Sequence, residues 1–236
     1  MATLKSIMGQ LKKKGSAQTR KTYARHGAPD DLYGVSVADM KKIAKTIKGQ
    51  QELAMELFDT GNADAQYLAG MVADGGAMTK KLLDHWAKQA TWYMVSEHSV
   101  PGVATESDHA QDLANKWIKS RTEHVAACGW STYSGIVAIR DDEDLDFAEI
   151  KERLKQIETG LSAAQNRVRY AMNGFVISVG GYIPKLTKRA ISVAKKVGKV
   201  DVDVGETACK VPDAIEYIEK MEKAGRIGKK RKTMKC

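Results

Sequence analysis

The segment SVADMKKIAKTIK at 36–48 sets Val37, Met40, Ile43, Ala44 and Ile47 on one helical face, behind a serine suited to an N-cap. That period, repeated along most of the chain, limits the fold more than any other feature. NADAQYLAGMVAD at 62–74 repeats it with Ala65, Leu68, Ala69 and Val72. The same pattern predicts helices near 77–90, 92–99, 108–120, 122–139, 146–159, 163–178 and 185–197. Short breaks carry the usual punctuation: Gly49, Gly61, Gly75-Gly76, Pro101, Gly160 and Gly180-Gly181. Only four prolines occur, and β-branched alternation is nearly absent before residue 197. Helices joined by short turns, without strands between them, make an all-α protein. A compact bundle and a stack of helical pairs both satisfy that pattern. The helices pair off with no long central apolar helix, so an α-solenoid of antiparallel helix pairs is the preferred architecture.

The expected organisation is a helical-repeat domain over 1–197 and a C-terminal extension over 198–236. Val197 to Val204 alternates like a strand-like arm, a helix is predicted from Pro212 to Ala224, and GRIGKKRKTMKC closes the chain.

Charge is distributed unevenly along the 236 residues. Residues 1–29 hold Lys5, Lys12, Lys13, Lys14, Arg20, Lys21 and Arg25 and no acid. The last fourteen hold Lys223, Arg226, Lys229, Lys230, Arg231, Lys232 and Lys235, again without an acid. The middle keeps 24 of the 38 Lys and Arg residues against all 29 acids. Two basic ends around an acidic middle point to a polyanion partner, because each phosphate neutralised releases counterions. The alternative for the C-terminal run is a mobile, solubilising tail. Arg167 and Arg169, with Lys185, Lys188 and Arg189, supply a further basic edge suited to phosphates, or an ordinary charged helix face.

No apolar run is long enough to span a bilayer, and the N-terminus lacks the apolar core of a secretory signal. Cys128, Cys209 and Cys236 are odd in number and far apart, which suits a reducing cytoplasm. His124 and Cys128 share a helix face, but zinc needs three or four ligands, so no metal site and no cofactor are expected. DDEDLD at 141–146 reads as an exposed loop leading into a helix.

The chemistry-bearing cluster is QATWYMVSEHSVPG at 89–102, with two aromatics, a glutamate and a histidine. Tyr93 and Glu97 are four apart, so on a helix ring and carboxylate share a face. His98 points about 100° away from Glu97 and is not expected to act with it. Taken in order, LYGVSVADMKKIAK, GNADAQYLAGMVAD, TWYMVSEHSVP and KWIKS resemble the AlkD-like DNA alkylation repair proteins over roughly residues 20 to 195. The resemblance implies a solenoid of HEAT-like helix pairs whose concave face holds DNA. Its active members are glycosylases that excise cationic N3- and N7-alkylated purines.

The family pattern W-W-D-x-V-D-x-x-V-P, laid from Val100-Pro101, puts its tryptophans on Trp92 and Tyr93 and its catalytic aspartate on Glu97. The resemblance therefore implies Glu97 and Tyr93 as catalytic residues and Trp92 as a DNA contact. A carboxylate and an aromatic face stabilise the cation that develops on the sugar, and the extra methylene of glutamate displaces that carboxylate. The family's site arginine falls on Ala127. A third aromatic falls on Gly174, with Phe175 one residue away.

Three functions follow: a glycosylase of altered specificity, a DNA- or RNA-binding solenoid that lost the chemistry, and a protein-interaction scaffold. The preferred partner is double-stranded DNA, bound by a monomer with no membrane contact. The expected location is the cytoplasm, at the nucleoid, or the nucleus in a eukaryote.

Overall fold

The computed structural model describes residues 2–235. Among them thirteen α-helices follow one another with no strand, joined by short turns, four of them 3-10, and by two longer irregular links at 26–36 and 198–213. They are α1 (Leu4–Lys14), α2 (Ala17–Arg25), α3 (Val37–Thr46), α4 (Gln51–Asp59), α5 (Ala63–Val72), α6 (Lys80–Gln89) and α7 (Val100–Thr105). Then come α8 (Ala110–Trp117), α9 (Glu123–Ile139), α10 (Phe147–Gly160), α11 (Asn166–Tyr182), α12 (Thr187–Val197) and α13 (Ala214–Lys223). Side chains of Thr3, Ser16, Ser36, Asn62, Thr79, Asp146 and Asp213 cap helix N-termini, each accepting from a backbone N–H of the first turn.

Helices α5, α7, α9, α11 and α13 form one row, with α4, α8 and α12 packed against its flank. Small residues let neighbours approach. A Cβ on Gly70 of α5 would lie 2.6 Å from the Ser99 side chain, and one on Gly129 of α9 would lie 2.5 Å from the Ile118 backbone. One core runs from Ile7 to Cys128 and a second from Ala110 to Ile218. Asp64, wholly buried at the start of α5, accepts backbone N–H groups from Tyr33, Gly34 and Val35 at 2.7, 2.9 and 3.1 Å. That clamp ties the α2–α3 loop to the row.

Several boundaries differ from the sequence-based reading. Pro101 does not end its helix, because a π turn precedes it and the widened register absorbs its missing N–H. Gly180-Gly181 is not an interhelical turn but the last turn of α11, where Ile218 and Met221 of α13 pack against the bare glycines. The expected strand-like arm is irregular, since its ladder has no partner; Asn166 holds it instead, donating to the Asp203 carbonyl at 2.8 Å and accepting from its N–H at 2.7 Å.

The basic tail is docked. It crosses the C-terminal ends of the row, where helices leave carbonyls unpaired and the dipole is negative. Gly228 N–H donates to Gly181, Arg231 N–H to Ala138, Lys230 Nζ to Val137 and Lys235 Nζ to Ala73, all carbonyls in or beside the last turns of α11, α9 and α5. Lys230 also pairs with Asp142 at 2.9 Å, and Lys235 with Glu106 at 3.0 Å.

Candidate functional site

Trp92 sets the geometry from below. Its ring is 2% exposed, packs 5.1 Å from that of Tyr23, and donates Nε1–H to the His26 carbonyl at 3.1 Å. The Trp92 carbonyl accepts from both Val95 and Ser96, at 2.8 and 2.9 Å, where the π turn Val95–Ser99 begins. Such turns re-aim side chains. Here Glu97 turns into the protein and His98 out to the surface, beside a pocket that it helps to line.

The Glu97 side chain is 2% exposed and is gripped by Arg167 from the first turn of α11. Arg167 donates from Nε to Oε1 at 2.7 Å and from Nη2 to Oε2 at 2.6 Å. Its guanidinium lies over the rings of Tyr93 and Tyr170, 4.5 Å from each centroid. Glu123 of α9 accepts the Arg167 backbone N–H at 2.8 Å and fixes where that turn starts. Tyr93 Oη lies 3.4 Å from His26 Nδ1.

Burial pushes the Glu97 carboxyl above its ordinary value against the opposing pull of Arg167. Desolvation works against the Arg167 charge, but the two bonds and the negative charge of Glu97 more than offset it. The arginine therefore stays charged, and Glu97 is the member of the pair able to change protonation. Burial raises the phenols of Tyr93 and Tyr170. His98 is exposed at its edge, and the protein packed around its ring and then the Arg167 charge lower its pKa, which favours neutral imidazole.

Each Glu97 oxygen accepts a bond from Arg167, and with the side chain 2% exposed its remaining lone pairs are closed to a water it would have to position. The aromatic faces beside it already hold a cation, that of Arg167.

The structure brings Tyr93, Glu97 and Arg167 together, whereas Arg167 was expected on a phosphate-facing edge. Trp92 lies in the core and presents no surface to a ligand. Phe175 does not replace the missing aromatic: it is fully buried, with its ring edge-on to Trp130 and Tyr133. Gly174 faces open space. Ala127 is fully buried, and the cation that meets the carboxylate comes from α11 instead. Arg189 is held by Glu158 at 2.6 Å, Arg169 lies 3.5 Å from Asn166, and the Lys185 ammonium lies 5.9 Å from the Phe147 ring. Lys188 is exposed on α12, and Lys12, Lys13 and Lys14 on the last turn of α1. Tyr170 and Glu123 escaped sequence reading, although Arg167 and Tyr170 in RVRY stand three apart on one helix face.

Beside the ion pair the groove holds a pocket of about 330 Å³, with His98 and Tyr170 in its wall. A larger cavity of about 730 Å³ lies under residues 198–202 and 210–213, against α10 and α12; neither space is lined by Glu97 or Arg167, but the smaller one meets the ion pair through Tyr170, whose ring lies under the Arg167 guanidinium. Among the described residues no group of three or more His, Cys, Asp or Glu converges to hold a metal, and no helix is long and apolar enough to cross a membrane.

This architecture has known counterparts. A solved structure described as "A new family of proteins related to the HEAT-like repeat DNA glycosylases with affinity for branched DNA structures" matches with a TM-score of 0.90, 37% identity and full coverage of both chains. An uncharacterized protein of Listeria innocua, Lin0241, is 35% identical over 226 residues, covering 93% of this chain and 97% of its own. Lmo0209 of Listeria monocytogenes, also uncharacterized, is 34% identical with the same coverage. The family described as DNA alkylation repair enzyme matches residues 7–218, and with an all-α solenoid of HEAT-like helix pairs beneath that match, the chain belongs to the DNA alkylation repair enzyme family.

Proposed function

We propose that this protein binds DNA through its groove and recognises structure in it without excising alkylated bases. The observation that carries this reading is Arg167. The carboxylate and aromatic faces that would receive a cationic purine hold the protein's own planar cation instead. Glycosidic cleavage needs that carboxylate free to face the developing positive charge. The solved relative's affinity for branched DNA structures supports a binding role.

Exposed Lys12, Lys13, Lys185 and Lys188 supply phosphate contacts, which position DNA without reading its sequence. Glu97 and Tyr93 then act as the frame that holds Arg167. The role needs no cofactor. A monomer bound to double-stranded or branched DNA in the cytoplasm is the form in which it operates.

The test pairs two measurements on the purified chain. Binding to duplex DNA should weaken steeply as salt rises. Release of N3-methyladenine or N7-methylguanine from methylated duplex should not exceed the spontaneous rate. Release by wild type but not by Glu97→Gln would overturn the binding-only reading and make Glu97 catalytic. Salt-insensitive or absent DNA binding would instead favour a protein-interaction scaffold.

A further inference from the structure

We infer that the pocket beside the ion pair receives one unstacked nucleobase of the bound DNA. This deepens the proposed DNA-binding role and rests on it. About 330 Å³ is the low end of small-ligand pockets, the size of a single nucleoside and not of a duplex segment. Its wall carries three phenol rings, Tyr170, Tyr182 and Tyr217, with His98, Gly174 and Arg231 completing the chemistry. Aromatic side chains bind bases of any sequence, because every base has a π face.

Two features set this pocket apart from a packing defect. Tyr217 is 49% exposed, the one large hydrophobic side chain exposed among the described residues. The adjoining positions of its helix, Ala214 and Ile218, are buried, so the exposed ring is held at the pocket by a fixed element. Gly174 is the second feature. A glycine inside a helix costs about 1 kcal/mol relative to alanine. At Gly129 and Gly180 a close neighbour explains it, but a Cβ at Gly174 would meet nothing within 4 Å. Gly9 of α1 is as free of neighbours but lines none of these cavities; Gly174 does, and its missing side chain leaves that part of the wall open to a ligand.

The polar groups fit a base within a strand better than a free nucleotide. Arg231 is the only Lys or Arg among the described lining residues, and its exposed position suits one phosphodiester charge. A free mononucleotide carries more negative charge than one arginine answers. His98 offers a ring nitrogen to a base edge. Tyr170 is the wall shared with the ion pair, its ring covered by Arg167, so the base stops short of Glu97. The bound nucleotide is held and not cut.

The test uses the full chain and two forms of one DNA: a matched duplex and the same duplex with a single bulged 2-aminopurine. Wild type should bind the bulged form about 5- to 100-fold more tightly, the range expected of one stacked base, and should change the 2-aminopurine fluorescence. Tyr217→Ala removes a stacking face, and Gly174→Leu fills the pocket from a helix position with room for a side chain. Each should lose the preference, with its own matched-duplex affinity as the reference and thermal melting as the check of folding. Equal wild-type affinity for both DNAs, or a preference kept by both variants, would overturn the pocket and leave DNA binding standing. Failure to bind either DNA would overturn the DNA-binding role, and this inference with it.

Discussion

Arg167 donates two hydrogen bonds to Glu97, at 2.7 and 2.6 Å, across seventy residues of sequence. The pair joins the π turn to the first turn of α11, and Tyr93 and Tyr170 bracket its cation. Neither partner tolerates being left alone: Glu97 is buried, and Arg167 has desolvated much of its charge against those rings. A fork geometry on both oxygens is the arrangement in which a buried pair recovers its desolvation cost.

Removing one partner is therefore predicted to be far worse than removing both. Arg167→Ala should lower stability by about 3–5 kcal/mol, because it strands a buried carboxylate. Arg167→Met with Glu97→Gln should recover most of that loss. In the single variant the raised pKa of Glu97 has no opposing cation, so the folded state holds a proton that the unfolded state releases. Its stability should rise as pH falls through that folded pKa and decline as pH rises through it. Urea melts at a series of pH values measure this, and additive single variants would refute the coupling.

How far the sequence could be read depended on whether the deciding contact was local. The stripe in α3 or α5 needs only i, i+3 and i+4 neighbours, and those helices appear within two residues of expectation. Helix α4 was missed although QELAMELFD is amphipathic, its segment being short and lacking a side-chain cap. Gly180-Gly181 reads as a break until α13, some forty residues later, packs against it. Tyr93 and Glu97 were found through the resemblance to a family pattern. Arg167 could not be tied to Glu97 because nothing local marks an arginine for a carboxylate two helical pairs away. Phe175 stands one position from Gly174, where the family pattern puts its third aromatic, and that 100° of helix rotation carries it from open space into the core.

Asp84 should govern part of the acid limb of stability. Partial burial works to raise its pKa, but Lys116 and Lys88, each at 2.8 Å, and Trp117 Nε1 at 2.9 Å hold it well below the usual carboxylate range. A depressed folded pKa means that this contribution is complete above the unfolded value, about 3.9, and is lost as pH falls toward the folded one. Melting temperature should fall below about pH 4 in wild type, and Asp84→Asn should flatten that limb. An unchanged acid limb in the variant would show that Asp84 does not link α6 to α8.

The docked tail predicts a stability loss where a loose tail predicts none. Truncation after Arg226 removes the contacts of Lys230 with Asp142 and of Lys235 with Glu106, together with their bonds to helix C-terminal carbonyls. Cations at helix C-termini contribute about 0.3–1 kcal/mol each, and charge-assisted hydrogen bonds somewhat more. The truncated chain should lose about 1–3 kcal/mol, read as a fall of about 2–4 °C in Tm for each kcal/mol at this size. Equal melting of the two chains would return the tail to a solubilising role.

Two glycines on neighbouring helices should respond to alanine with opposite signs. At Gly129 a Cβ would come 2.5 Å from the Ile118 backbone nitrogen and 2.9 Å from Trp117, and backbone atoms cannot turn aside as a side chain would. Helix α8 would have to move off α9, and overpacking of this kind costs about 1–3 kcal/mol. At Gly174 the same Cβ meets nothing, so Gly174→Ala keeps only the gain in helix propensity, up to about 1 kcal/mol. Urea midpoints of the two variants should fall on opposite sides of wild type. If Gly174→Ala also destabilised the chain, its glycine would be serving the packing of α11, and the open part of the pocket wall would need a structural reason in place of a ligand.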